Sequence, residues 1–255
     1  MERIAAAADT IAVARQNRSE LAPLPDAIRP RDEAEAYRVQ DAVHERLTAR
    51  RVGYKIGCTT AVMQAFLRIG NPCAGGLFDR TVYERRATLP FDGFRHVGVE
   101  CEIAVRIGRD LTSGPFTPER VGEAVAGYMT SIEIVDDRFA DFRSMDTPTL
   151  IADDFFAWGC VLGEPVRADA EAIAAAIGTT AINGVEVGRG RGTDVLGHPL
   201  NALAWLARHL DERGRYLRAG EIVTTGSLVE TKWLARGDRV TITVSGLGEA
   251  ELQVI

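Results

Sequence analysis

The 255-residue sequence has no surplus of positive charge. Thirty Lys and Arg stand against 36 Asp and Glu, a net charge of −6. A mildly acidic chain with no basic stripe is poorly suited to binding nucleic acid through phosphates. It has no window of the ~20 apolar residues that a membrane helix needs, so no membrane association is expected. Near its start the only apolar run is Ile4–Ala8, flanked by Glu2 and Asp9, and no signal peptide is read there. The four cysteines (Cys58, Cys73, Cys101, Cys160) are scattered and form no CxxC. They are expected as free thiols in a reducing cytoplasm. The four histidines (His44, His96, His198, His209) show no HxxxH or HxH spacing, so no zinc-type motif is read. There is no GxSxG elbow of a serine hydrolase. Gly188-Arg189-Gly190-Arg191-Gly192 has neither the dinucleotide spacing nor a following Lys-Ser/Thr, and reads as a flexible basic turn. Internal repeats and low-complexity tracts are absent.

What is present is ordinary globular material: 46% hydrophobic, 26% charged and 7% aromatic residues. A chain of this length can bury roughly three quarters of its unfolded surface without disulfides or a structural metal. The first fifty residues read as helical. Met1–Arg15 carries Ile4, Ala8, Ile11 and Ala12 on one face. A Pro-rich break follows, then Asp32 is placed to cap a second helix with Glu35 as its reciprocal partner. That helix has Ala36, Val39, Val43 and Leu47 on its apolar face and is expected to end near Arg50–Gly53. Beyond Gly53 the spacing predicts strands at Val99–Ile107, Thr130–Val135, Trp158–Leu162, Thr179–Val187, Ile222–Thr225 and Arg239–Val244. Helices are predicted from Thr117-Pro118 to about Gly127, over Ala168–Ile177, and over His198–Arg213 with a stop at Gly214. Regular βαβ alternation is missing, so mixed β structure with peripheral helices is expected rather than a doubly wound sheet.

Four segments can carry chemistry. In Val99-Glu100-Cys101-Glu102-Ile103, the period of two puts Glu100 and Glu102 on one strand face, ~6.5–7 Å apart. Two such carboxylates repel unless solvated or bridged, and a hard divalent cation bridges them through oxygen. The plainer alternative is two surface glutamates. Glu133 interrupts the apolar run Ile132–Val135; it is either exposed, paired with a neighbour such as Arg138, or the third acid of a cation site. Lys55, in Gly53-Tyr54-Lys55-Ile56-Gly57, is either a snorkelling edge lysine or a buried acid/base or oxyanion partner, the glycines permitting close approach of another backbone or a ligand. Thr224-Thr225-Gly226-Ser227 is either a polar turn or a carboxylate cradle.

Together these segments resemble the 2-keto-4-pentenoate hydratase / 4-oxalocrotonate decarboxylase group of the fumarylacetoacetate hydrolase superfamily. The similarity runs from about Glu33 to the C-terminus. It is carried by EAEAYRVQ (33–40), GYKIGCTT (53–60), GVECEIAVRIGRDL (98–111), SIEIVDDRF (131–139), VLGHPLNALAWLARHL (195–210) and AGEIVTTGSLVET (219–231). The resemblance implies an α+β fold: a mixed β roll or distorted barrel of the fumarylacetoacetate hydrolase C-terminal type (53–255) with a small helical N-terminal domain (1–52). It implies Mg²⁺ or Mn²⁺ held by Glu100, Glu102 and Glu133, with Lys55 acting near the substrate and Thr225, Gly226 and Ser227 binding a carboxylate. Asp154 and Phe156 fall in Ala152-Asp153-Asp154-Phe155-Phe156-Ala157, where members of the group usually carry an Asp-Asn-x-Ser type segment. Here an amide position has become an acid and a hydroxyl position aromatic. Asp154 is taken as a candidate catalytic residue and Phe156 as a candidate substrate contact. The acid usual after Leu77-Phe78 is also displaced, with Asp79 and Arg80 there.

Three functions follow from the resemblance. The first is a metal-dependent hydratase adding water to a short 2-hydroxy-2,4-dienoate to give a 4-hydroxy-2-oxo acid. The second is a decarboxylase of the 4-oxalocrotonate type, or an acylpyruvate C–C hydrolase, on the same scaffold. The third is a non-catalytic partner subunit. A homo-oligomer is expected, with a related decarboxylase or hydratase as a possible companion. Phe139, Phe155 and Phe156 point to an alkyl substrate tail rather than a second carboxylate.

Overall fold

The computed structural model describes residues 2–255. Two N-terminal helices, α1 (Glu2–Asn17) and α2 (Glu33–Arg46), pack against each other. The chain then runs through β1 (Arg51–Gly57), α3 (Ala61–Leu67), β2 (Cys73–Phe78), β3 (Val82–Glu84), β4 (Arg86–Leu89) and β5 (Val97–Ile107). Next come α4 (Pro118–Gly122), β6 (Val125–Asp136), α5 (Thr147–Ala152), β7 (Ala157–Leu162), α6 (Ala170–Ala175), β8 (Ile177–Ile182) and β9 (Val185–Arg191). It ends with α7 (Pro199–Glu212), β10 (Ile222–Ser227), β11 (Lys232–Trp233), β12 (Arg239–Val244) and β13 (Gly248–Val254). Met1, placed at the head of the first predicted helix, lies outside the described residues.

The strands form two mixed sheets. One has the order β2-β1-β10-β5-β6-β7-β3, with β11 also paired to β5; the other has the order β4-β13-β12-β8-β9. Among the described residues neither sheet closes, so the fold is mixed α/β with open sheets and no barrel. Helices α1, α2 and α7 contribute Ile11, Val43, Leu203, Leu206 and Leu210 to the same hydrophobic core as Ile103, Ile132 and Ile134 of the larger sheet. Fully burying each such side chain stabilises the fold by roughly 1.5–3 kcal/mol. No helix among the described residues is long and apolar enough to cross a membrane, and all four cysteines are free.

Local signals in the sequence account for most element boundaries. The Asp32 side chain caps α2 by accepting from the Glu35 N–H. Glu35 does not return the bond to Asp32 but reaches the backbone N–H of Arg31 at 3.0 Å. The helix stops at Arg46, earlier than expected, because β1 already starts at Arg51. Val240, Ile242 and Val244 alternate into the core over β12 as predicted. His198 caps α7, and Gly214 beyond its end has φ +67°.

Four further expectations needed correction. The helix opened by Thr117-Pro118 ends at Gly122, and β6 already runs from Val125, because its pairing with the long β5 recruits those residues. The predicted α6 is likewise shortened by β8. The single strand over Thr179–Val187 is a hairpin turning at Asn183-Gly184, both with positive φ, the residue pair that a two-residue hairpin turn favours. The GRGRG segment is therefore no loose turn but the second strand of that hairpin, β9, with Gly188 opposite Thr180 and Gly190 opposite Gly178.

Replacing Leu206 with Ala in α7 is expected to cost ~2–5 kcal/mol. Removing the α2 cap with Asp32→Ala is expected to cost ~1 kcal/mol. Urea unfolding of both variants checks this, and equal losses would refute the placement of Leu206 in the core.

Candidate metal centre and its lysine

The site starts from strand register. β5 and β6 pair antiparallel with Glu100 opposite Glu133 and Glu102 opposite Ser131. Directly opposed residues share a face, as do residues two apart on one strand. All three glutamates are thus placed on one side of the sheet, and one carboxylate oxygen of each lies within 4.8 Å of the others. Ile132 and Ile134 fill the core on the other side. Glu102 and Glu133 are each 1% exposed and Glu100 is half-buried, so the strand pair is not two surface glutamates and Glu133 is not exposed. Arg138, the alternative partner for Glu133, instead pairs with buried Asp153 through Nε and Nη2 at 2.8–3.1 Å.

Lys55 comes from β1, two strands from β5, and is 4% exposed. Its Nζ lies 3.1 Å from Glu133 Oε1 and donates to the Phe155 carbonyl at 2.8 Å. The flanking Gly53 answers the expectation of close approach: a Cβ there would sit 2.0 Å from the Ile222 carbonyl oxygen of β10. Gly57 has no such backbone neighbour; the Lys55 ammonium is its near contact.

β10 passes between β1 and β5 and supplies hydroxyl and amide donors. The Thr224 hydroxyl donates to Glu133 Oε2 at 3.1 Å, and the Gly226 N–H donates to Glu102 Oε2 at 2.8 Å. Gly226 has φ +117°, and a Cβ there would lie 2.4 Å from the Thr59 hydroxyl; only glycine brings that amide to the carboxylate. The two hydroxyls singled out beside it are turned elsewhere. Thr225 donates to the Ile103 carbonyl at 2.8 Å, because alternate strand residues face opposite ways, and Ser227 donates to the Val229 carbonyl. Thr231 Oγ1 donates to Glu100 Oε1. Thr224 was reachable from the period of two once Thr225 was placed. Thr231 carried no local signal, since it meets Glu100 only through the turn after β10.

Asp154 and Phe156 lie in the turn that roofs Lys55. Asp154, Phe155 and Phe156 have φ values of +61°, +49° and +65°. Left-handed backbone costs about 1–2 kcal/mol for each residue with a side chain. The Asp154 carboxylate is fully buried and faces the N-terminal helices: it accepts from Arg15 at 2.7 Å, from His44 Nε2 at 2.8 Å and from the Gly76 N–H at 3.0 Å. Burial alone would raise its pKa, but the charges of His44 and Arg15 prevail and hold it well below the usual carboxylate range. Phe156 packs edge-on against Phe139, Phe142 and Phe155.

The electrostatics of the triad are unbalanced. Three buried or half-buried carboxylates face one ammonium. Burial pushes the Glu100 carboxyl above its ordinary value, with the charge of Glu133 adding to it. Glu102 is pushed further, by burial and then by Glu133 and Glu100. For Lys55, burial would lower the pKa, yet Glu133 and Glu100 overturn that and raise it. Glu133 Oε1 has no directed hydrogen bond despite its nearness to Nζ. An all-oxygen donor set with surplus negative charge and an unsatisfied carboxylate oxygen fits a hard divalent cation.

The pH dependence follows from the sign of these shifts. A carboxyl whose folded pKa is raised binds more protons folded than unfolded, so its contribution to stability is lost as pH rises through the folded pKa. The chelated protein is therefore expected to lose melting temperature as pH rises above the ordinary carboxylate range. Mg²⁺ should restore it, by an increment that grows with pH. Thermal unfolding from pH 5 to 8, with chelator and with Mg²⁺, checks this; a Mg²⁺ increment of zero throughout would dismiss the cation site.

Comparison with known proteins gives the chain a family. The family model for the fumarylacetoacetate (FAA) hydrolase C-terminal domain matches residues 77–255. The chain is 35% identical over 252 residues to a 2-keto-4-pentenoate hydratase of Paraburkholderia phymatum, covering 96% of this chain and 95% of that protein. It is 34% identical over 222 residues to a 2-hydroxyhexa-2,4-dienoate hydratase of Comamonas testosteroni, covering 85% and 81%. Among solved structures it superposes on 4-oxalocrotonate decarboxylase from Pseudomonas putida G7, complexed with magnesium and adipate, with a TM-score of 0.93 and 27% identity, over 100% of this chain and 98% of that one. With three acids converging on one sheet face and a family match over more than half its length, the chain belongs to the fumarylacetoacetate hydrolase family and has hydratases among its relatives.

Proposed function

We propose that this chain is a divalent-metal-dependent hydratase that converts a short 2-hydroxy-2,4-dienoate into a 4-hydroxy-2-oxo acid. The observation that carries the reading is the Glu100–Glu102–Glu133 cluster with Lys55 Nζ 3.1 Å from one of its oxygens. A cation held by these three glutamates, Mg²⁺ or Mn²⁺, supplies Lewis-acid polarisation of a 2-oxo group when bound. The chain's own residues do the rest. Thr224, Thr231 and the Gly226 amide hold the carboxylates in place by their hydrogen bonds. Lys55, kept cationic by Glu133 and Glu100, is the proton donor. The reaction balances as follows: the dienol hydroxyl loses its proton and the terminal carbon gains one, then water places its hydroxyl on C4 and its second hydrogen on C3. Lys55 gives its proton to the terminal carbon and regains one from the dienol hydroxyl; it then gives a proton to C3 and is restored by the proton that water releases as its oxygen bonds to C4. General acid–base assistance of this kind contributes about 10²–10⁴-fold.

The turn beside Lys55 favours this substrate over a dicarboxylate. Phe139, Phe142, Phe155 and Phe156 form an aromatic cluster there. The arginines that meet the turn, buried Arg138 and half-buried Arg15, are already committed, to Asp153 and Asp154 respectively. Neither is free to pair with a second substrate carboxylate, whereas an alkyl or hydrogen terminus needs no cation. Asp154, engaged by Arg15 and His44, is assigned a supporting role rather than a chemical one. We also read residues 1–52 as a small helical domain seated on a β roll spanning 53–255. A homo-oligomer accounts for the exposure of Val62 (78%) and Phe66 (48%) on α3.

Assays with Mg²⁺ on 2-hydroxypentadienoate, 2-oxohexenedioate and an acylpyruvate separate the candidate reactions by product: a hydroxy-oxo acid, CO₂, or two acids. The hydroxy-oxo acid from the first substrate is expected. CO₂ from the second as the dominant turnover would replace this proposal with a decarboxylase, and binding without any turnover would indicate a partner subunit. Glu100→Gln and Glu133→Gln are each expected to abolish metal-dependent turnover. Lys55→Ala is expected to lower kcat by ~10²–10⁴-fold while Mg²⁺ affinity measured by calorimetry stays within a few-fold. An unchanged kcat removes Lys55 from the chemistry.

A further inference from the structure

Lys55 does not choose its own position. Its ammonium is fixed at one end by the Glu133 carboxylate and at the other by the Phe155 carbonyl. That carbonyl belongs to the middle residue of three consecutive left-handed residues, Asp154–Phe156, none of them glycine. Such a run persists only where its surroundings over-determine it. The surroundings are visible here. Asp154, at the head of the turn, is tied to Arg15 near the end of α1, to His44 in α2 and to the Gly76 amide of β2. Gly76 neighbours Gly75, which is the residue paired with Lys55 across the β1–β2 ladder. Asp153, one residue earlier, is held by the buried Arg138. An acid at 154 thus has a specific reason in this chain: an amide in its place would meet the Arg15 guanidinium without a charge to offer it, and would have one oxygen rather than two for Arg15, His44 and the Gly76 amide.

We propose that Arg15 and His44, acting on Asp154, are positioning residues for Lys55: they hold the 154–156 turn in its left-handed form so that the Phe155 carbonyl presents Nζ to the glutamate cluster. The two N-terminal helices thereby take part in the reaction without touching the substrate. This rests on the reading of Lys55 as the proton donor, but its mechanical content can be measured without substrate.

The test uses an unusual property of the sequence. It has only two lysines, Lys55 and Lys232, against 28 arginines, so amine labelling followed by mass spectrometry reports Lys55 with Lys232 as an internal reference. In the full-length protein, Arg15→Met and Asp154→Asn are each expected to raise the Lys55-to-Lys232 labelling ratio by ~5-fold or more. Mg²⁺ affinity by calorimetry should stay within about two-fold. Turnover of 2-hydroxypentadienoate is expected to show a kcat lower by ~10–100-fold with KM little changed. The size of that loss follows from misplacing a proton donor rather than removing it. Arg15→Lys, which keeps the charge, should recover part of the kcat. In a Lys55→Ala background Arg15→Met should add no further loss. A general loss of structure would instead weaken Mg²⁺ binding and lower turnover in both backgrounds. Should Arg15→Met not fold, Asp154→Asn carries the labelling comparison, with Arg15→Lys as the charge-keeping control. An unchanged labelling ratio in folded variants overturns the proposal. Absence of turnover in the wild-type protein would instead remove the hydratase reading, leaving the labelling ratio to decide the positioning role by itself.

Discussion

The structure is organised around one costly arrangement: three carboxylates gathered on a buried sheet face with a single ammonium among them. Charges of one sign in a poorly solvated site repel strongly, and nothing in the packing alone would favour bringing them together. What holds them is a set of directed donors, the Thr224 and Thr231 hydroxyls, the Gly226 amide and Lys55. These compensate part of the negative charge and leave the rest for a cation. The site is therefore unfinished as protein chemistry, and its incompleteness is what gives it a function.

The larger sheet is the instrument that builds this arrangement. β10 lies between β1 and β5, so Lys55, the Thr224–Gly226 segment and the ExE pair are delivered by adjacent strands. β6 closes the set from the other side of β5 with Glu133. Ladder hydrogen bonds make this placement rigid, and a slip of one residue in the β5–β6 register would send Glu133 into the apolar core and Ile132 or Ile134 into the site. The same sheet's opposite face, filled with Ile103, Ile132 and Ile134, opposes such a slip.

Around this rigid floor lies a roof of different character. The 153–156 turn is strained in its backbone, fixed by the Arg138–Asp153 and Arg15–Asp154 ion pairs, and offers the Phe155 carbonyl to the Lys55 ammonium. Buried ion pairs add little net stability, but losing one partner leaves an uncompensated charge at a cost of about 3–5 kcal/mol. They therefore suit a segment whose shape matters more than its contribution to stability. Phe142, Phe155 and Phe156 pack edge-on against one another through Phe156 as part of this roof.

Much of this was legible in the residues themselves. Alternation along Val99–Ile103 put Glu100 and Glu102 together, and a polar residue inside the Ile132–Val135 run marked Glu133 as needing a partner. Capping by Asp32, the helix that opens at His198-Pro199, and the core alternation of β12 were also readable, because they depend on contacts within a few residues. The hairpin at Asn183-Gly184 is equally local, marked by its Asn-Gly pair, but the β-branched run across it carries the pattern of one strand. Other features had no local trace. The commitment of the Thr225 hydroxyl to Ile103, the pairing of Arg138 with Asp153 rather than Glu133, and the anchoring of Asp154 by Arg15 and His44 all join residues far apart in the chain. Local periodicity decides which way a side chain faces. Only the register of distant strands and the docking of the N-terminal helices decide what it faces, because those depend on how the whole hydrophobic core is shared.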